Sequence, residues 1–209
     1  MLPLWVRRHL PGFQAPPERW QHMMHSYHGD EVVVLDCETS RFDKKQGELL
    51  SVAAVIVKGK HIMLSKALDL TIRSAAVTDA QAVKVHFLRQ EDRLHGVSTA
   101  EAIERLLDFI GNRPICGFYI EYDRAILNRY IQELYQFQLY NRFIDVSELY
   151  ARLSRKKHPE SELDLTFEGL AAGLDVPIID RHTALGDVIS TALMYVKLSE
   201  FGLKEIAHG

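Results

Sequence analysis

Apolar and polar positions along this 209-residue chain change period partway. Val32 to Leu35 and Ser51 to Val57 are dense, short apolar runs with polar borders, the pattern of strands covered on both faces. Strands are predicted over Glu31 to Glu38, Leu49 to Val57 and Lys60 to Leu68, with Lys58-Gly59 as the turn between the last two. Joined this tightly, the three are antiparallel. From Ser98 the period becomes helical. Ala102, Ile103, Leu106, Leu107 and Ile110 form a stripe, Ser98 and Glu101 a capping box at its start, and Gly111 ends it. Pro114 to Phe118 reads as a buried strand feeding a helix from Asp123 to Tyr135. Arg142 to Val146 is another, feeding a helix over Ser147 to Leu153. Helices from Leu165 to Gly173 and from Thr183 to Phe201 complete the chain. Three antiparallel strands followed by strand-helix units predict an α/β fold with helices flanking a mixed sheet. Residues 1–30, rich in Pro, His and aromatic residues with a short helix over Pro17 to Tyr27, are read as an N-terminal arm, and 31–209 as one domain.

Composition narrows the function class. A net charge of −3 provides no global positive field of the kind that passive nucleic-acid coat proteins use. No apolar run approaches the roughly 20 residues needed to cross a bilayer, so no membrane partner is expected. Arg7 and Arg8 are followed by Pro11, Pro16 and Pro17 where a signal peptide would carry its apolar core, so a cytoplasmic protein is expected. Cys37 and Cys116 sit in predicted buried strands and are too few for a disulfide framework or zinc site.

Candidate chemistry begins with Asp36-Cys37-Glu38 at the end of the first strand. Alternation puts Asp36 and Glu38 on one face, about 7 Å apart along the chain. Two carboxylates there are costly unless compensated, and a divalent cation with oxygen ligands, magnesium or manganese, does so directly. Asp123 falls at a strand-to-helix junction, where it is either an ordinary first-turn Asp favoured by the helix dipole or a third carboxylate. His182 and Asp187 are five apart, so His182 is placed on the loop before the last helix and Asp187 in its first turns. Each motif alone is weak. The chain's composition gives roughly 0.9 Asp-x-Glu triplets and about 0.6 His-x4-Asp pairs by chance, and His25 with Asp30 repeats the latter spacing in the arm. The joint arrangement carries the signal: carboxylates on the first core strand, one at a mid-chain junction, and a His-Asp pair opening the last helix.

In that order and context, Asp36-Cys37-Glu38-Thr39, Ile120-Glu121-Tyr122-Asp123 and His182-Thr183-Ala184-Leu185-Gly186-Asp187 resemble the three motifs of the DEDDh branch of the DEDD 3′–5′ exonucleases. Within that branch the chain looks most like proofreading epsilon subunits of bacterial DNA polymerase III, over about residues 31 to 201. The resemblance implies a ribonuclease H-like fold with a central five-stranded mixed sheet flanked by helices. It implies two divalent cations, Mg2+ or Mn2+, roughly 3.5–4 Å apart, that activate a water while the terminal nucleotide leaves as a 5′-monophosphate. Asp36, Glu38, Asp123 and Asp187 are the implied metal ligands, Asp123 partly through water, and His182 the implied base for the attacking water. Activity should then rise from mildly acidic to mildly alkaline pH. The implied partners are nucleic acid 3′ ends, single-stranded DNA first, with an RNA-directed member of the branch, resembling oligoribonuclease or ribonuclease T, as the alternative. A catalytically dead nucleic-acid-binding module is the reading from another class, and it is disfavoured because all five positions are present.

The departures from the family pattern concern the substrate. Phe118-Tyr119 stands where relatives carry His-Asn, leaving Tyr119 as a base-stacking candidate and Phe118 as a packing residue. Thr39 and Arg181, which adjoin the ligands, are further substrate-binding candidates. Gly186 either makes room for a ligand or has no role. His22, His25 and His28, without accompanying ligands, are read as part of a solvated arm. Arg155-Lys156-Lys157-His158 is read as a loop of solvated charges, with phosphate contact as the competing reading; His86 and His95 are taken as surface or structural. The short C-terminus is read as lacking the segment of a polymerase-tethered proofreader, which favours a stand-alone enzyme, and the arm is a candidate for homodimerisation or docking.

Overall fold

The computed structural model describes residues 13–74, 94–157 and 162–206. Arg7, Arg8, Pro11, His86 and His158 lie outside them. Among the described residues six strands form one sheet: β1 (Glu31–Thr39), β2 (Leu49–Lys58), β3 (His61–Ile62), β4 (Leu68–Thr71), β5 (Ile115–Gly117) and β6 (Phe143–Asp145). The order is β3-β2-β1-β5-β6, and β4 also pairs with β2. β1–β2, β2–β3 and β2–β4 are antiparallel, whereas β1–β5 and β5–β6 are parallel. Because β3 pairs with the end of β2 and β4 with its start, the two fill one strand position. The sheet is therefore mixed and five positions wide, as expected.

The continuous third strand predicted over Lys60 to Leu68 is not formed. A 3₁₀ turn at Leu64–Lys66 divides it, and pairing resumes at Leu68–Thr71. Leu64 is exposed, so this stretch lacks the buried apolar alternation that holds a strand in register.

Among the described residues five α-helices cover the sheet: α1 (Thr99–Ile110), α2 (Glu121–Tyr135), α3 (Val146–Lys157), α4 (Phe167–Leu174) and α5 (Ala184–Ile206). Ser98 Oγ accepts from Glu101 N at 3.2 Å, and Gly111 ends α1 at φ 53°. α3 extends past the predicted end at Leu153, so Arg155 and Lys156 lie on a helix, correcting their assignment to a loop. Their exposed positions carry no apolar periodicity from which the extension could be read.

Alternation along β1 divides the core. Val33, Leu35 and Cys37 face the layer containing α1 and α2, while Val32 and Val34 face that containing α4 and α5. Asp36 and Glu38 continue the Val32–Val34 row, so both carboxylates are directed to the α5 side. The segment Glu18–Met24, part of the expected arm, is a 3₁₀ helix that buries Trp20, Met23 and Met24, with Trp20 and Met23 joining the α1–α2 layer. Trp20 Nε1 donates to Asp108 at 2.8 Å and Arg19 pairs with Glu104 at 3.1 Å. Both cysteines are buried free thiols. Among the described residues no helix is long and apolar enough to cross a membrane.

Candidate active site

Three carboxylates converge at the C-terminal end of β1. Asp36 and Glu38 lie opposite Ala53 and Ser51 of β2, and the small partners leave space above the sheet. Asp187 enters from the first turn of α5, and the ligand atoms of Asp36, Glu38 and Asp187 lie within 4.8 Å of one another. It is the one group of three or more metal-binding side chains among the described residues, so His22, His25 and His28 form none.

The start of α5 is built to present Asp187. Thr183 Oγ1 accepts from Gly186 N at 3.1 Å, the capping interaction that starts a helix, and Asp187 N donates to Thr183 O at 2.9 Å. His182 lies on the loop with φ 72°, and its N–H approaches Asp187 Oδ1 at 3.4 Å. The placement of His182 before the helix and Asp187 inside its first turn matches the spacing argument. Gly186 also has its reason: a Cβ there would stand 2.3 Å from Asp180 O and 2.5 Å from Ile179 O. Close backbone packing, rather than room for a ligand, requires glycine.

Asp123 comes from the other layer. It is the third residue of α2, buried, and its Oδ1 accepts from Cys37 N at 3.0 Å, between the two acids of β1. Its carboxylate also accepts from its own first-turn N–H, and it lies outside the three-carboxylate cluster.

Burial governs the electrostatics. Desolvation, with the charge of Asp187 next, pushes the Asp36 carboxyl up to about 7. Glu38 is pushed up to about 9 by burial and by Asp36. Asp187 and Asp123 are also raised, burial being the first cause in each. Protons are thus held where the fold has placed acids, a state that a divalent cation would replace. The hard oxygen donors and their charge fit such an ion.

Arg181 is the cation already present. Its guanidinium pairs with Asp187, donates through Nε to Glu168 Oε1 at 3.0 Å, and lies 3.9 Å over the Phe167 ring. Thr39 lies at the mouth of the site, where its Oγ1 is 2.9 Å from Tyr122 OH and 3.0 Å from Arg41 O. Arg129 fastens the same loop to α2 through Lys44 O and Gly47 O. Phe42, 70% exposed, projects from this tethered loop. Tyr119 is half exposed, with its OH donating to Leu165 O at 3.1 Å. Phe118 packs edge-on against Phe167, as its packing assignment required. Sequence reasoning missed Phe42, Tyr122 and Glu168. An aromatic residue three positions after Thr39 was the available signal for Phe42, whereas the tie of Glu168 to Arg181 exists only in three dimensions. A cavity of about 330 Å³ is lined by Glu38 with Ser51, Asp69 and Thr71 of the sheet and by Asp180 and Thr183.

Solved structures share this architecture. Escherichia coli exonuclease I in complex with a dA16 oligonucleotide aligns with a TM-score of 0.71 at 13% identity, over 86% of this chain and 42% of that one. The chain thus spans about two fifths of that protein, and the likeness establishes a ribonuclease H-like fold. In sequence, the chain belongs to the RNase_T exonuclease family, whose profile matches residues 33–195, and it is accordingly a 3′–5′ exonuclease hydrolase. It is 28% identical over 173 residues to the oligoribonuclease of Mycobacterium ulcerans, covering 76% of this chain and 75% of that one. It is 30% identical to the oligoribonuclease of Paracidovorax citrulli (75% and 81%) and 23% to the DNA polymerase III epsilon subunit of Aquifex aeolicus (80% and 80%).

Proposed function

We propose that the chain removes nucleotides from single-stranded 3′ ends as nucleoside 5′-monophosphates, with DNA as its first substrate. The observation that carries this reading is the convergence of Asp36, Glu38 and Asp187, from two distant segments, with their carboxyls driven up by burial. Divalent cations, Mg2+ or Mn2+, would supply a more acidic water and neutralise charge on the phosphoryl oxygens. Asp36, Glu38 and Asp187 would hold them, while Asp123, outside that cluster, fixes the Cys37 backbone between the two β1 acids and would reach an ion through water. His182, held beside Asp187 by its loop, would take the proton from the attacking water. Arg181 is one exchange away from the substrate: a divalent cation at Asp187 would free the guanidinium for a phosphate oxygen. Thr39 fixes the loop carrying Phe42, and Phe42 and Tyr119 supply exposed rings for stacking bases.

An RNA reading is favoured by the two oligoribonuclease relatives. Matched DNA and RNA oligonucleotides, compared by kcat/KM with chromatography of the released nucleotides, test both readings. A DNA rate above the RNA rate with 5′-monophosphate products is expected; 3′-monophosphate products would refute the proposed bond cleavage.

A further inference from the structure

Between the turn joining β5 to α2, the outer face of α3 and the segment before α4 lies a cavity of about 580 Å³, within the range of small-molecule sites, about 300–1,000 Å³. Arg152, Arg155 and Lys156 line one wall, Tyr119 and Leu165 another, and Glu148 is the acid among the lining residues. Positions 152, 155 and 156 are spaced i, i+3, i+4, so the three cations share one face of α3 and extend over a helical turn. Tyr119 is fixed in this wall. Its backbone is left-handed at φ 49°, a conformation that non-glycine residues keep only where the surroundings hold them, and its OH is tied to Leu165 O.

The cavity is joined to the carboxylate cluster through packed rings, of which Tyr119 is the exposed one and Phe167 is buried. Tyr119 meets Phe118 at 4.4 Å, Phe118 meets Phe167 at 5.1 Å, and Phe167 carries Arg181, whose guanidinium pairs with Asp187. An aromatic platform beside a row of cations is the chemistry that holds single-stranded nucleic acid, with rings taking bases and cations taking the backbone. The row is longer than a single phosphate needs.

We propose that this cavity binds the strand upstream of the scissile bond, stacking a base on Tyr119 and leading its 5′-ward phosphates along Arg152, Arg155 and Lys156. The consequence is a preference for a continuing strand over a dinucleotide. This inference rests on the exonuclease reading of the carboxylate cluster.

The test compares two substrates with Mn2+: the p-nitrophenyl ester of thymidine 5′-monophosphate, which reaches only the cluster, and a single-stranded oligonucleotide. In the Arg152→Gln/Arg155→Gln protein, the oligonucleotide-to-ester ratio of kcat/KM should fall about tenfold. The slope of log kcat/KM against log salt for the oligonucleotide should become shallower by about 0.7 for each phosphate that no longer meets a cation. Tyr119→Ala should lower the ratio about tenfold and leave the salt slope unchanged, because stacking carries no counterion. A wild-type protein that cleaves both substrates, with ratio and slope unchanged in folded variants, would overturn the strand site alone. A wild-type protein that cleaves neither would overturn the exonuclease reading on which the site depends.

Discussion

Replacing Asp36 with Asn should stabilise the metal-free protein. The Asp36 carboxyl rises from an ordinary 3.8 to about 7 on folding, chiefly through burial. At about 1.4 kcal/mol per unit, keeping it ionised costs the fold about 4 kcal/mol once the pH is above both values. Because the folded value is the higher one, the cost is absent below the ordinary carboxyl range and grows as pH rises to about 7; metal-free stability therefore falls across that window. Asn removes the charge and its repulsion by Asp187 but still buries an amide, so a net gain of about 2–3 kcal/mol is expected. For a chain of this size that raises the melting temperature by about 5–10 °C. Thermal melts in chelator should show this gain at pH about 8 and less than half of it at about 5. Added Mn2+ should reverse the order, stabilising wild type and leaving Asp36→Asn almost unmoved. A variant that melts below wild type in chelator at both pH values would refute the claim that the fold bears the cost of an uncompensated carboxylate.

Other perturbations separate the remaining parts of the site. Proton release on Mn2+ binding, read by calorimetry in buffers of different ionisation enthalpy, should be net positive near neutrality, since Asp36 and Glu38 hold protons up to about 7 and about 9; uptake or no release would contradict the raised carboxyls. Arg181→Gln should lower the metal-free melting temperature, increasingly so at higher pH, and shift the Mn2+ midpoint to lower concentration, because Asp187 loses its cation. His182→Ala should cost about 10²–10⁴-fold in kcat while keeping the metal-induced melting shift; an unchanged rate would remove His182 as the base. Gly186→Ala should destabilise by about 1–3 kcal/mol and reduce kcat, as the loop carrying Arg181 and His182 must move to admit the methyl group.

The parts of the fold legible in the sequence are those with a strong period. Val32–Leu35 fixed β1 and the direction of Asp36 and Glu38, and the Ala102–Ile110 stripe fixed α1. The edge of the sheet was less legible, because β3 and β4 are short, half-exposed and divided by a turn. The burial of Trp20 could not be read, since isolated Trp and Met residues among prolines carry no period. The candidate ligands were found by order and context, yet their grouping required the fold. Nothing along the chain places Asp123 on the Cys37 amide, or Arg181 between Glu168 and Asp187.

The most direct test of the proposed function follows a 5′-labelled single-stranded oligonucleotide over time with Mn2+ or with chelator, using Asp36→Ala to exclude a contaminating nuclease. A ladder that shortens one nucleotide at a time from the 3′ end, dependent on metal and absent in the variant, is the predicted result. An equally fast ladder in chelator, or in Asp36→Ala, would contradict the assignment of the carboxylate cluster as the catalytic metal site.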